Sequence, residues 1–162
     1  MGQKMSLATQ AFSQGYQHSN QSVSTPVSVL PLKRIVIKLD LTEWNKQLTD
    51  RLSELVSLHA GWDGYNGQPV DFTKAYFASE VLKQLYVDDV CTPALVPGSD
   101  GTLQAEWHAC DMDIELDILD VNKVNALYVD NRNETETELE IRANFTPVRE
   151  WLQEMARRNR EV

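Results

Sequence analysis

The sequence predicts an α+β domain: an antiparallel meander of three to five strands packed with a helical hairpin and a C-terminal helix. Three observations carry this. Apolar residues recur at three- and four-residue steps through 44–58 and again through 72–85. The period then drops to two between 103 and 118, and Thr146-Pro147 opens a last helical stretch. Helices kept apart from a run of neighbouring strands are the pattern of an α+β fold.

Residues 1–30 are rich in Ser, Gln and Thr and poor in large apolar groups. They read as a flexible extension, because so little apolar surface cannot offset the entropy of ordering. A single domain is expected over 31–162. Ile35-Val36-Ile37 suggests a short strand with Lys33 and Arg34 at its entry. Thr42 sits where an N-cap belongs, and Glu43 suits the positive end of the helix that follows. Trp44, Leu48, Leu52, Leu55 and Leu58 share one stripe, so this helix is expected to end near Ala60 with Gly61 as its left-handed cap. The turn-rich run from Gly61 to Pro69 connects it to a second helix, capped by Asp71 and expected to last to about Val87. The apolar side of that helix is Phe72, Ala75, Tyr76, Ala78, Val81, Leu82 and Leu85.

Ala94 to Pro97 reads as a short strand that Pro97 confines to an edge or an end. After the turn Ser99-Asp100-Gly101-Thr102, Leu103, Ala105 and Trp107 alternate with Gln104, Glu106 and His108. Met112, Ile114, Leu116 and Ile118 alternate with Asp113, Glu115 and Asp117. A two-residue loop at Cys110-Asp111 pairs Trp107 with Ile114, and every apolar residue then meets an apolar partner; a slip by one would turn a whole strand inside out. A third strand is expected over 124–129, and a fourth where Thr135, Thr137, Leu139 and Ile141 alternate with glutamates. The closing helix offers Val148, Trp151, Leu152 and Met155 to the core, and Arg157, Arg158 and Arg160 suit its negative end.

The chain has 162 residues, 42% of them hydrophobic and 24% charged, which excludes wholesale disorder. Fifteen Lys and Arg stand against 24 Asp and Glu, a net charge of −9 and a pI near 4.7. That balance argues against direct nucleic-acid binding, which needs clustered cations to displace phosphate counterions. No apolar run approaches the roughly 20 residues that span a bilayer, and no apolar stretch follows the first residues as a secretory signal requires. A cytoplasmic protein without membrane contact is expected, its thiols Cys91 and Cys110 unpaired.

The proposed register makes the chemistry specific. It sets Gln104 opposite Asp117, Glu106 opposite Glu115 and His108 opposite Asp113, all on the face away from Trp107. Directly opposed Glu106 and Glu115 repel, by about 0.2–1 kcal/mol. A positive group against the ladder would relieve them: a metal ion, the arginine-bearing end of the closing helix, or a basic partner. A solvated or internally paired sheet face explains the same pattern. The one histidine of the ladder and the absence of an H-E-x-x-H run make a metal site poorly founded, so no metal and no other cofactor is expected. In the loop, Trp62 and Tyr65 are candidate interface anchors and Asp63 a hydrogen-bonding group; equally, Trp62 packs beneath the helices while Asp63 caps a local turn. No nucleophile elbow is present, and neither His18, His59 nor Cys110 has the partners that nucleophilic catalysis demands.

The run Gly61-Trp62-Asp63-Gly64-Tyr65-Asn66-Gly67, followed by Asp100-Gly101-Thr102-Leu103-Gln104-Ala105-Glu106-Trp107-His108 and Asp113 to Leu116, resembles a widespread uncharacterised family of small bacterial and mobile-element proteins. These share a GWDGY-type loop and a DG-x-x-Q-x-EWH-type strand. The resemblance covers residues 52–129 and implies a shared fold and a bacterial or phage setting, with no reaction attached.

The expected function is therefore a non-enzymatic, acidic protein-interaction module of bacterial or phage origin. Its partner would be a protein with a basic surface, which it would neutralise or regulate in an antitoxin-like, defence-associated or host-takeover role. The candidate binding residues are Trp62, Asp63, Tyr65, Glu106, His108, Asp113 and Glu115, with no catalytic residue. Two alternatives stand beside it: a metal-dependent hydrolase using the acidic, histidine-bearing sheet face, and a nucleic-acid mimic. The sequence carries no signal for the oligomeric state.

Overall fold

A computed structural model describes residues 43–161. The extension at 1–30, the strand at 35–37 and the cap at Thr42 lie outside the described residues. Within them the order is α1 (Glu43–Val56), α2 (Phe72–Leu85), β1 (Ala94–Pro97), β2 (Leu103–Ala109), β3 (Met112–Asp120), β4 (Lys123–Asp130), β5 (Thr135–Ile141) and α3 (Thr146–Asn159). This is the α+β arrangement that the change of period predicts.

The strands form one antiparallel sheet in the order β1-β2-β3-β4-β5. The β2–β3 register matches the expected one at every pair, from Leu103 with Ile118 to Ala109 with Met112. Its loop explains why. Cys110 and Asp111 have φ of 56° and 58°, the left-handed pair of a tight hairpin turn whose twist agrees with that of the strands. β1 lies at an edge with Pro97 as its last residue, where the missing N–H costs no ladder bond.

Trp107, Ile114, Leu116, Ile118, Val124 and Ala126 stand on one face of the sheet and are buried. The helices supply the other half of the core through Leu48, Leu52, Leu82, Leu85, Val148 and Leu152. The Trp107 indole N–H is not stranded in this apolar layer: it donates to the Cys91 carbonyl at 3.1 Å. Asp71 caps α2 as expected, its Oδ1 accepting from the N–H groups of Thr73 and Lys74 at 2.8 and 3.2 Å. At the start of α3, Thr146 is the first helical residue and Pro147 follows; the N-cap position is Phe145, which offers no side-chain acceptor, and Asn144 Oδ1 just before it accepts from Thr146 N at 3.1 Å.

Four expectations need correction. α1 ends at Val56, four residues short of Ala60. The Ser53 and Ser57 hydroxyls bond back to the carbonyls of Thr49 and Ser53, competing with the helical pattern. The returning chain takes the Leu55 carbonyl through Val70 N at 3.2 Å. Leu58 therefore packs on the core from outside the helix, and Gly61, at φ 77°, closes the loop instead of capping α1. Tyr76, assigned to the apolar side of α2, is 51% exposed. α2 also stops at Leu85, because Tyr86 turns to an extended ψ of 128°. No helix among the described residues is long and apolar enough to cross a membrane.

Candidate functional site

The helices cover one face of the sheet. The other face, formed by the alternate residues of every strand, carries no helix among the described residues. On β2 it shows Gln104, Glu106 and His108; on β3, Asp113, Glu115 and Asp117. β4 contributes Asn125, Leu127 and Val129, and β5 contributes Glu136, Glu138 and Glu140, each opposite its β4 neighbour. The four ladder residues predicted from sequence, Glu106, His108, Asp113 and Glu115, are thus brought together on this face.

Most of the expected repulsion is answered from within. His108 sits between two carboxylates, its Nδ1 2.7 Å from Asp113 Oδ1 and its Nε2 3.3 Å from Glu106 Oε2. Both partners raise its pKa, Asp113 foremost, so the imidazolium is favoured. The second Asp113 oxygen accepts from Asn131 Nδ2 at 3.0 Å, and the His108 contact is the main reason this carboxyl titrates below its ordinary range. Gln104 Nε2 donates to Glu115 Oε2 at 3.0 Å. Each of the opposed glutamates, Glu106 and Glu115, has its own donor.

The arginines of α3 do not serve this purpose, contrary to one of the expectations from sequence. Asp130 pairs with Met112 in the register and so faces inward. There Arg158 meets it in a two-pronged ion pair, Nη1 to Oδ1 at 3.0 Å and Nη2 to Oδ2 at 2.5 Å, with the residues only 5% and 3% exposed. Asn133 and the backbone N–H of Arg132 complete the shell around Asp130, whose pKa Arg158 pushes far down. Arg157 pairs with Glu154 and Glu161, and Arg160 with Asp89. Sequence reasoning misses the Asp130–Arg158 pair, because a basic helix end is equally well explained by the helix dipole.

It misses the far half of the outer face as well. Carried through β4, the register sets Glu136, Glu138 and Glu140 in a second row of carboxylates alongside Asp113, Glu115 and Asp117. Within a row, side chains two residues apart are about 6.7 Å apart, and rows two strands apart are separated by about 9.6 Å. Between them lies a hollow of about 410 Å³ over β4, bounded by Glu115, Asp117, Asn125, Leu127, Glu138 and Glu140. Asp117, Glu136 and Glu138 make no side-chain hydrogen bond or ion pair with another described residue. Partial burial, then the nearby Glu106 charge, raises the Asp117 pKa. The alternation of β5 is legible in the sequence; that its glutamates share a face with Glu115 needs the β4 pairing.

The aromatic loop is a separate feature. It is tied to the β1–β2 turn, with Gln68 N donating to Ser99 O at 2.8 Å and Asp71 N to Gly101 O at 3.0 Å. That is the Thr102 end of β2, about 20 Å of strand from His108. Asp63 Oδ1 accepts from Tyr65 N and Gly67 N, both at 2.9 Å, and these bonds lower its pKa. The Trp62 indole N–H donates to Gln68 O at 2.9 Å. Asp63 caps a local turn as expected, whereas Trp62 closes the loop on itself and is not among the side chains packed on the core beneath the helices. Tyr65 alone projects, 86% exposed.

No group of three or more His, Cys, Asp or Glu side chains among the described residues is arranged to hold a metal ion. Both nitrogens of His108 are engaged by carboxylates, Nδ1 by Asp113 and Nε2 by Glu106. Comparison with protein-family models, with curated proteins and with solved structures finds no match.

Proposed function

We propose that this chain is a non-enzymatic interaction module that binds a protein with a basic surface through the outer face of its sheet. It would act in the cytoplasm of a bacterium or phage-infected cell, neutralising or regulating that partner. The observation that carries this reading is the pair of carboxylate rows on a sheet face with no covering element among the described residues. Like charges set side by side repel and draw positive charge toward them, and three of these carboxylates, the partly buried Asp117 and the exposed Glu136 and Glu138, have no counter-charge among those residues. A basic surface laid on the face supplies the missing charge and is steered toward it by the net charge of −9.

The test is capture from a lysate of the native host on the immobilised full chain, followed by identification of what is retained. Charge reversal at Glu115 (Glu115→Lys) is expected to release the partner while leaving the thermal melt of the domain unchanged. Equal retention by both proteins removes this face from consideration.

A further inference from the structure

Three columns of the outer face, those of β3, β4 and the edge strand β5, set charge on both sides of a mostly apolar strip. Asp113, Glu115 and Asp117 line one side, Glu136, Glu138 and Glu140 the other, and Leu127 and Val129 of β4 lie half-buried between them. An antiparallel sheet commonly packs one face on the core and leaves the other polar and open. Among the described residues only the inner face is covered by helices, and the open face departs from a purely polar surface at Leu127 and Val129.

The width of the pattern selects among occupants. The two acidic rows stand about 9.6 Å apart, close to the diameter of an α-helix with its side chains, about 10–12 Å. A helix laid along β4 sets its central stripe on Leu127 and Val129 while side chains on its two flanks reach both rows at once. An extended segment projects only one line of side chains toward the sheet and so meets a single row. A second copy of this chain would bring the same carboxylates and repel.

From this we infer that the outer face receives an amphipathic helix of a partner protein, with an apolar seam over Leu127 and Val129 and Lys or Arg along both flanks. This rests on the interaction-module reading above and narrows it to one kind of partner element. The raised pKa of Asp117 agrees with a carboxyl whose charge lacks a partner. The face spans about 20 Å by 20 Å, from five strands and about six residues of strand length, so a contact of this kind is at the small, transient end of protein interfaces.

The experiment uses the full chain and three synthetic 18-residue peptides of equal charge. One has a leucine seam flanked by lysines; the second has the same composition with the leucines scattered around the helix; the third is held extended by regularly spaced prolines. Binding is measured by fluorescence anisotropy at two salt concentrations. The seamed peptide is expected to bind at least tenfold more tightly than the other two. Glu138→Lys and Leu127→Asp are each expected to weaken it about tenfold, with unchanged thermal melts. Salt-sensitive binding of all three peptides with equal affinity overturns the helix inference but leaves a basic partner standing. The helix inference falls in the same way if Leu127→Asp has no effect while Glu138→Lys weakens binding. Absence of salt-sensitive binding by any peptide overturns the helix inference and counts against the basic-partner reading too.

Discussion

His108 is gripped at both ring nitrogens by Asp113 and Glu106, and its raised pKa has a direct consequence for stability. A group whose pKa is raised on folding contributes fully below its unfolded value, near 6.5, and loses that contribution as pH rises through the folded value. Melting temperature is therefore expected to fall as pH climbs above 6.5, and His108→Gln to flatten that dependence; parallel pH profiles for the two proteins would show that the ring is a bystander. Gly67 is a residue of another kind. Its backbone is not left-handed, yet a Cβ there would sit 2.7 Å from Asp63 Cγ and 2.9 Å from Trp62 Nε1. Gly67→Ala is expected to cost about 1–3 kcal/mol, read by urea unfolding. Glu138→Gln, on an exposed strand position, is expected to stay within about 0.5 kcal/mol. The first needs the loop closed around Asp63; the second needs the acidic face to be unnecessary for folding.

Elements show where local signals suffice and where they fail. The β2–β3 hairpin is legible in full, because strict alternation leaves only one register that hides Trp107 with Ile114 and Leu116. Trp107 is almost wholly buried between sheet and helices, so Trp107→Ala is expected to cost about 3–5 kcal/mol in denaturant unfolding. α1 is shorter than its spacing predicts. Leu58 continues the helical period, yet the Val70 N–H that takes the Leu55 carbonyl belongs to a returning segment that meets the helix only in three dimensions. The same limit hides the role of Arg158. Its i−4 contact with Glu154, at 2.9 Å, is a short-range feature, while Asp130 lies 28 residues away in sequence and reaches it only because β4 and α3 meet. Arg158→Met leaves a buried carboxylate without its cation and is expected to lower the melting temperature by about 10 °C or more.

At the scale of the molecule, the two ion clusters of the fold respond to acid in the same sense. Glu154 is held down to about 2 by Arg157 and then Arg158, and Arg158 also pushes the Asp130 carboxyl far below its ordinary range. Depressed carboxyls contribute stability above their unfolded values and lose it as pH falls through the folded ones. Unfolding is thus expected as pH drops from about 4.5 toward 2, and a scan of far-ultraviolet circular dichroism checks it; Glu154→Gln is expected to reduce the slope over that window. The net charge of −9 has the opposite use. It attracts cations from a distance.

Composition and period alone determined the fold class, the order of the elements from α1 to α3, the hairpin register and the four ladder residues on one face. Those properties depend on neighbours in sequence or on which side of a strand is apolar. The tertiary structure decided the rest. It alone shows that β4 carries the ladder across to Glu136, Glu138 and Glu140, that Arg158 turns inward to Asp130, and that the Trp62–Tyr65 loop stands at the opposite end of β2 from His108. Each of these pairs groups far apart along the chain, and only the packing of sheet against helices sets the distance between such groups.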